Sequence, residues 1–184
     1  MKRTIAALLA AVMLAGCSTG QQIDQPMELR RKLCETESTF DAVITADYGE
    51  KVYVFSMKCQ VDAAGNLSFE VSDPETISGI TGHVTEQEGA LTFDDKVLAF
   101  PLLSEGQLTP VSGPWHLIHT LRSGYIAGSG PDEELVRVSL DDSYREDAMH
   151  VDVWLDSQGN PVRGEILWKG RRILTIDIRN FAFQ

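Results

Sequence analysis

The sequence predicts an α+β fold, mainly antiparallel β, in which a curved sheet carries a short N-terminal helix and a central covering helix. Three observations point there. Apolar residues recur at every second position through most of the chain. Gly, Asn, Asp and Pro clusters separate those runs at hairpin spacing. The period lengthens to that of a helix only around Pro26–Thr36 and after Gly113-Pro114.

In chain order, the first element is an export signal. Lys2 and Arg3 precede ten apolar residues, Ile5 to Leu14, the charged start and short apolar core of a secretory peptide. The run is too short to span a bilayer, which takes about 20 residues. It ends in Leu14-Ala15-Gly16-Cys17, which resembles the lipobox of bacterial lipoproteins. The resemblance implies that residues 1–16 are a signal peptide removed before Cys17, and that the Cys17 thiol takes up a diacylglycerol, with palmitate among the acyl chains of the anchor. One acyl chain binds a membrane marginally, whereas two or more anchor it stably. The alternative is an ordinary signal peptide followed by a chance cysteine. Residues 17–27 read as a flexible polar tether, leaving 28–184 as one domain.

Without Lys2 and Arg3 the mature chain holds 14 Lys+Arg against 27 Asp+Glu, a formal charge of −13. That balance keeps a protein soluble and argues against a nucleic-acid partner. With Cys17 assigned to lipid, Cys34 and Cys59 remain as a pair. Export permits a disulfide between them, and two free thiols are the alternative.

Within the domain, Leu29 and Leu33 among charged residues predict a short amphipathic helix. Phe40, Ala42 and Ile44, then Tyr53 to Val61, then Leu67, Phe69 and Val71 alternate with polar residues. Turns at Tyr48-Gly49-Glu50 and Ala64-Gly65-Asn66 make them an antiparallel meander. Ile77–Thr85, Ala90–Phe93 and Lys96–Phe100 are short and strand-like. Trp115, Leu117, Ile118, Leu121 and Ile126 fit a helix with Pro114 in its first turn, stopped by Gly128-Ser129-Gly130-Pro131. Hairpin-linked strands then close the chain, through Val136–Leu140, Val151–Leu155, Val162–Trp168 and Leu174–Ile178. A sheet with one apolar face needs a cover, and the central helix is the expected one.

The closing segment carries a family resemblance. Val151-Asp152-Val153-Trp154-Leu155-Asp156, followed by Asn160-Pro161-Val162-Arg163, Glu165-Ile166, Gly170-Arg171-Arg172 and Ile176, resembles the final strands of the LolA-like lipoprotein superfamily. Pro114-Trp115 leading into a helix also resembles lipoproteins of that group, including germination lipoproteins. The resemblance spans residues 28–184 and implies an incomplete (half) β-barrel whose concave apolar face lies under helices. In the lipoprotein carriers that face receives acyl chains. A shuttling carrier cannot be fixed to a membrane, and Cys17 fixes this chain, but the superfamily also includes a lipid-anchored receptor. The implied location is the cell envelope, on the outer face of the cytoplasmic membrane or, in a diderm, on the outer membrane. Ser18 rather than Asp after Cys17 resembles the outer-membrane sorting pattern.

No local motif for chemistry stands out. His116 and His119 share neighbouring helical positions, but a metal site needs a third ligand. Asp94-Asp95 and Asp141-Asp142 point to opposite faces if they lie in strands. Gly128-x-Gly130 is not a nucleotide fingerprint, and G-x-S-x-G is missing. Trp154 shares parity with Asp152 and should face away from Val151 and Val153.

The expected role is therefore a non-catalytic, membrane-anchored extracytoplasmic lipoprotein that binds a lipidic or hydrophobic ligand. Its candidate cavity residues are Phe55, Met57, Phe69, Trp115, Ile118, Val153, Ile166, Trp168 and Ile176. One alternative is a protein-interaction or scaffold lipoprotein with a filled cavity, resembling the germination lipoproteins. Another is an enzyme of unknown class. No cofactor or metal is expected.

Overall fold

The computed structural model describes residues 21–85 and 108–184. Cys17, the signal segment, Asp94-Asp95 and the expected strands at 90–93 and 96–100 lie outside them.

Helix α1 spans Gln21–Glu35. Strands β1 (Ser38–Asp47), β2 (Val52–Val61), β3 (Leu67–Asp73) and β4 (Thr81–Val84) follow. A 3₁₀ turn at Pro110–Ser112 leads into α2, Gly113–Ser123. The chain ends with β5 (Tyr125–Asp132), β6 (Leu135–Asp141), β7 (His150–Leu155), β8 (Pro161–Trp168) and β9 (Arg171–Phe183). Among the described residues, nine strands form one open antiparallel sheet in the order β4-β3-β2-β1-β9-β8-β7-β6-β5. The last strand thus returns to pair with the first and joins two meanders.

The pleat sorts the residues by parity. Across one face run Phe55, Ile44, Ile176, Gly164, Val153 and Val138, each opposite the next. A parallel row holds Ala46, Leu174, Ile166, Val151 and Leu140. Apart from Gly164 these are all members of one buried hydrophobic core. Both helices cover this inner face, through Leu29 and Leu33 of α1 and Leu117, Ile118 and Leu121 of α2. Hairpin chemistry holds the register: in the β7–β8 turn Gly159 takes φ +81°, and Asp156 Oδ1 accepts the backbone N–H groups of Gln158 and Asn160.

Four expectations need correcting. Residues 21–27, read as tether, are the first turns of α1. Pro26 lies near the helix start, where the missing N–H removes only one intrahelical bond, and its ring is buried against the body.

Gly128-Ser129-Gly130-Pro131, read as a loop, lies within β5. β5 is an edge strand, paired only with β6 among the described residues, and an edge tolerates Gly and a proline without N–H. Consequently Ile126 belongs to β5, opposite Leu140, and α2 stops at Ser123.

Only Thr81–Val84 of the expected strand at Ile77–Thr85 is extended, because residues 74–79 form turns that bond back to Val71 and Pro74.

Cys34 and Cys59 are both free. Cys59 points into the inner face between Phe40 and Phe69, while Cys34 is on the exposed side of α1. Burial pushes the Cys59 thiol well above its usual range, with Asp41 adding to the shift.

Candidate functional site

The nine cavity candidates are all on the covered side of the sheet or on α2. Phe55, Met57, Phe69, Val153, Ile166 and Ile176 are inner-face residues of β2, β3, β7, β8 and β9, and all are buried. Trp168 is buried at the end of β8, with Lys169 Nζ 5.3 Å from its ring centroid. Ile118 is buried on α2, and Trp115 is half-buried, donating its Nε1–H to Gly65 O at 3.1 Å.

The seat of α2 is set by one glycine. A Cβ on Gly164 would lie 1.8 Å from Leu117 Cδ1, so the leucine occupies the space a side chain would take. Likewise a Cβ on Gly113 would be 2.9 Å from Leu174 Cδ1. Helix and sheet therefore meet without a gap at β8 and β9.

Two arginines lock the helices to each other. Arg30 of α1 donates to Leu121 O at 2.8 Å and to Gly124 O at 2.7 Å, at the C-terminal end of α2. Arg122 of α2 donates to Leu33 O near the C-terminal end of α1, and to Ala63 O at 2.9 Å. Each helix thus supplies the cation for carbonyls that the other leaves unpaired.

Over β6 to β9 the outer face is largely polar. One row runs Thr175, Glu165, Asp152 and Ser139, and the next runs Asp177, Arg163, Trp154 and Arg137. Asp152, 3% exposed, accepts Arg137 Nη2 at 2.6 Å and Ser139 Oγ at 2.5 Å. Burial alone would raise its carboxyl pKa. The bonds from Arg137 and Ser139, with the charges of Arg137 and His150, outweigh that and hold it below the ordinary value. Glu165 Oε1 accepts Arg163 Nη2 at 2.5 Å and Arg172 Nη1 at 2.9 Å. Trp154 faces outward as its parity required, its ring flanked by the Arg137 and Arg163 guanidiniums at 5.6 and 5.3 Å, and its Nε1–H bonded to Asp132 at 2.7 Å.

Sequence reasoning missed this lattice as a unit. The available signal was the shared parity of Arg137, Ser139 and Asp141 with His150, Asp152 and Trp154 on adjacent strands. It is an arrangement for holding charge. Ser139 gives its hydroxyl to Asp152, and His150 sits between Asp141 (2.8 Å) and Asp152 (3.3 Å), so serine and imidazole do not face each other.

The two helix histidines diverge. His116 is buried, 3.7 Å from Asp142 Oδ2, and burial pushes it down to about 4 against the opposing pull of Asp142. His119 stacks on Trp115 with ring centroids 4.7 Å apart. Among the described residues no group of three or more His, Cys, Asp or Glu side chains is placed to hold a metal ion.

A hollow of about 530 Å³ opens over β1 to β4. Its border mixes Phe40, Cys59 and Phe69 with Asp41, Lys58 and Glu70.

The family model for the prokaryotic membrane lipoprotein lipid attachment site matches residues 1–18. No curated protein matches the sequence. Among solved structures, the chain is similar to a DUF1329 family protein from Desulfovibrio piger at 11% identity and TM-score 0.42, over 90% of this chain and 92% of that one. It is similar to a LolA superfamily protein from Nitrosomonas europaea at 6% identity and TM-score 0.38, over 86% and 93%. A third is the lipoprotein LppX of Mycobacterium tuberculosis, at 14% identity and TM-score 0.40, over 88% and 93%. The chain carries a lipoprotein attachment site and is a membrane-anchored lipoprotein of the cell envelope.

Proposed function

We propose that this lipid-anchored chain is a non-catalytic extracytoplasmic binding module that acts on another exported protein, with its inner face filled by its own side chains. The contact of Leu117 with the bare backbone at Gly164 carries this reading, since at that point it leaves no room between α2 and β8 for a guest. The internal pairing of the outer-face Ser, His, Asp and Glu side chains supports a role without chemistry.

A second reading follows from the inner face itself, which is apolar across neighbouring strands from β3 to β6. In it, α2 lifts and the nine cavity candidates line a site for a lipidic ligand.

Native mass spectrometry of the tag-free domain, with a fluorescent fatty acid as probe, separates the two. A mass equal to the bare chain and no probe binding is the expected result. Co-purified lipid, or saturable probe binding lost in Ile118→Asp, would establish the lipid reading instead. For the partner, crosslinking in intact membranes should recover one stoichiometric exported protein, and a chain that crosslinks to nothing contradicts the proposal.

A further inference from the structure

We propose that the exposed side of α1 lies on the bilayer that holds the lipid anchor, so that Ile23 and Met27 insert at the interface and dock the domain in one orientation. This inference is independent of what the domain binds.

The covalent reach comes first. Three residues separate Cys17 from Gln21, where α1 begins. Four residue steps span at most about 14 Å, so the start of α1 is held close to the membrane surface. The expected stand-off tether is thus reduced to a short link, and α1 is, of the described elements, the one next to the lipid along the chain.

The helix then presents two different sides. Pro26, Leu29 and Leu33 face the body and are buried. Beside them, at helical spacing and exposed, come Ile23, Met27, Arg31 and Cys34, and the exposed Asp24, Glu28 and Glu35 complete the outward side. Ile23 is 54% exposed and Met27 47% exposed, although both are large and apolar. Two exposed apolar side chains one turn apart, next to a lipid attachment point, add apolar area that a bilayer interface can bury.

Charge agrees with this placement. The mature chain carries −13, which an anionic bilayer would repel. α1 is neutral, with Asp24, Glu28 and Glu35 balanced by Arg30, Arg31 and Lys32. Arg31, on the exposed side, is paired with Glu28 at 2.7 Å and with Glu35, so its own charge is compensated where the helix meets the headgroups.

The same geometry says which end of the sheet faces the membrane. A small hollow joins Asp24, Glu28 and Lys32 of α1 to Gly159 in the β7–β8 turn and to Phe183. Phe183 pairs with Ser38 at the start of β1. Val52 pairs with Asp47 at the other end of that strand, about 30 Å away at 3.3 Å per residue. Val52 is 58% exposed and is the matched control.

The test uses the lipidated full chain in phosphatidylcholine vesicles, with Cys34→Ser removing the exposed thiol. An environment-sensitive fluorophore is attached at Ile23→Cys, at Met27→Cys, or at Val52→Cys. Vesicle flotation first confirms anchoring in every variant. Lipids brominated high on the acyl chain should quench the probes at 23 and 27 at least roughly twofold more than the probe at 52, and aqueous iodide should show the reverse order. Equal iodide access at 23 and 52 overturns the proposal. So does a probe at 23 shielded from iodide yet untouched by brominated lipid, which would mean that protein rather than bilayer covers α1.

Discussion

Leu117 Cδ1 stands 1.8 Å from the position a Cβ of Gly164 would occupy, which seats α2 directly on the backbone of β8. Gly164 lies in the middle of an otherwise large-residue row, between Ile176 and Val153. That single missing side chain decides how closely the helix approaches the sheet.

Gly164→Ala therefore forces Leu117 or the helix to move and should destabilise by about 1–3 kcal/mol. Leu117→Ala leaves a cavity and should lose about 2–5 kcal/mol. Because the two side chains compete for one space, the double variant should be more stable than the sum of the single losses implies. Urea denaturation of all three measures this, and strict additivity would refute the contact.

The crossed arginines make a second prediction. Arg30→Met leaves carbonyls at the end of α2 without their donor, and Arg122→Met does the same for Leu33 and Ala63. Each should lose about 1–2 kcal/mol. Amide hydrogen exchange should accelerate at the C-terminal turn of the opposite helix in each case. Acceleration confined to the mutated helix would contradict reciprocal capping.

His116 gives the fold an acid-side weakness. Its folded pKa, about 4 through burial, is below the ordinary 6.5. Between those values the unfolded chain takes up a proton that the folded chain refuses. Stability is thus unaffected above pH 6.5 and falls as the pH drops toward 4, by up to about 3 kcal/mol. Asp142 and His119 are the titratable groups facing it, and Asp142 opposes the shift. His116→Phe should flatten this part of the profile in denaturation midpoints taken at about pH 7 and about pH 5. An unchanged slope in the variant would assign the effect elsewhere.

The cysteines should behave differently from each other. Cys34 is exposed and Cys59 is buried with a raised pKa. Maleimide should modify Cys34 in the native domain and reach Cys59 only after unfolding. Reductant should leave the melting temperature unchanged. A mass lower by two hydrogens, or a melting point sensitive to reductant, would restore the disulfide.

The Asp152 carboxylate should dominate the outer lattice. Asp152→Ala leaves Arg137, Ser139 and His150 without their shared acceptor and should destabilise by about 2–3 kcal/mol. Exposed Glu28→Ala, in a surface helix pair, should change stability by less than about 0.5 kcal/mol. Equal effects in a thermal melt would mean that the lattice is solvent-screened throughout.

Much of this was written locally in the chain. Cleavage and lipidation depend on a contiguous stretch around Cys17, and strand faces depend on a two-residue period, so both are visible in the sequence. Parity placed Trp154 on the outer face and the cavity candidates of the strands on the inner one, and Pro114 marked the start of α2. The tertiary structure decided whatever depends on residues far apart. Pairing of β9 with β1 joins the two meanders, and pairing of β8 with β9 brings Arg172 to Glu165. The fate of the cysteines turned on which side of α1 faces the body. The closure of α2 onto the sheet turned on Gly164, whose partner Leu117 is distant along the chain, and no local period records how near two surfaces come.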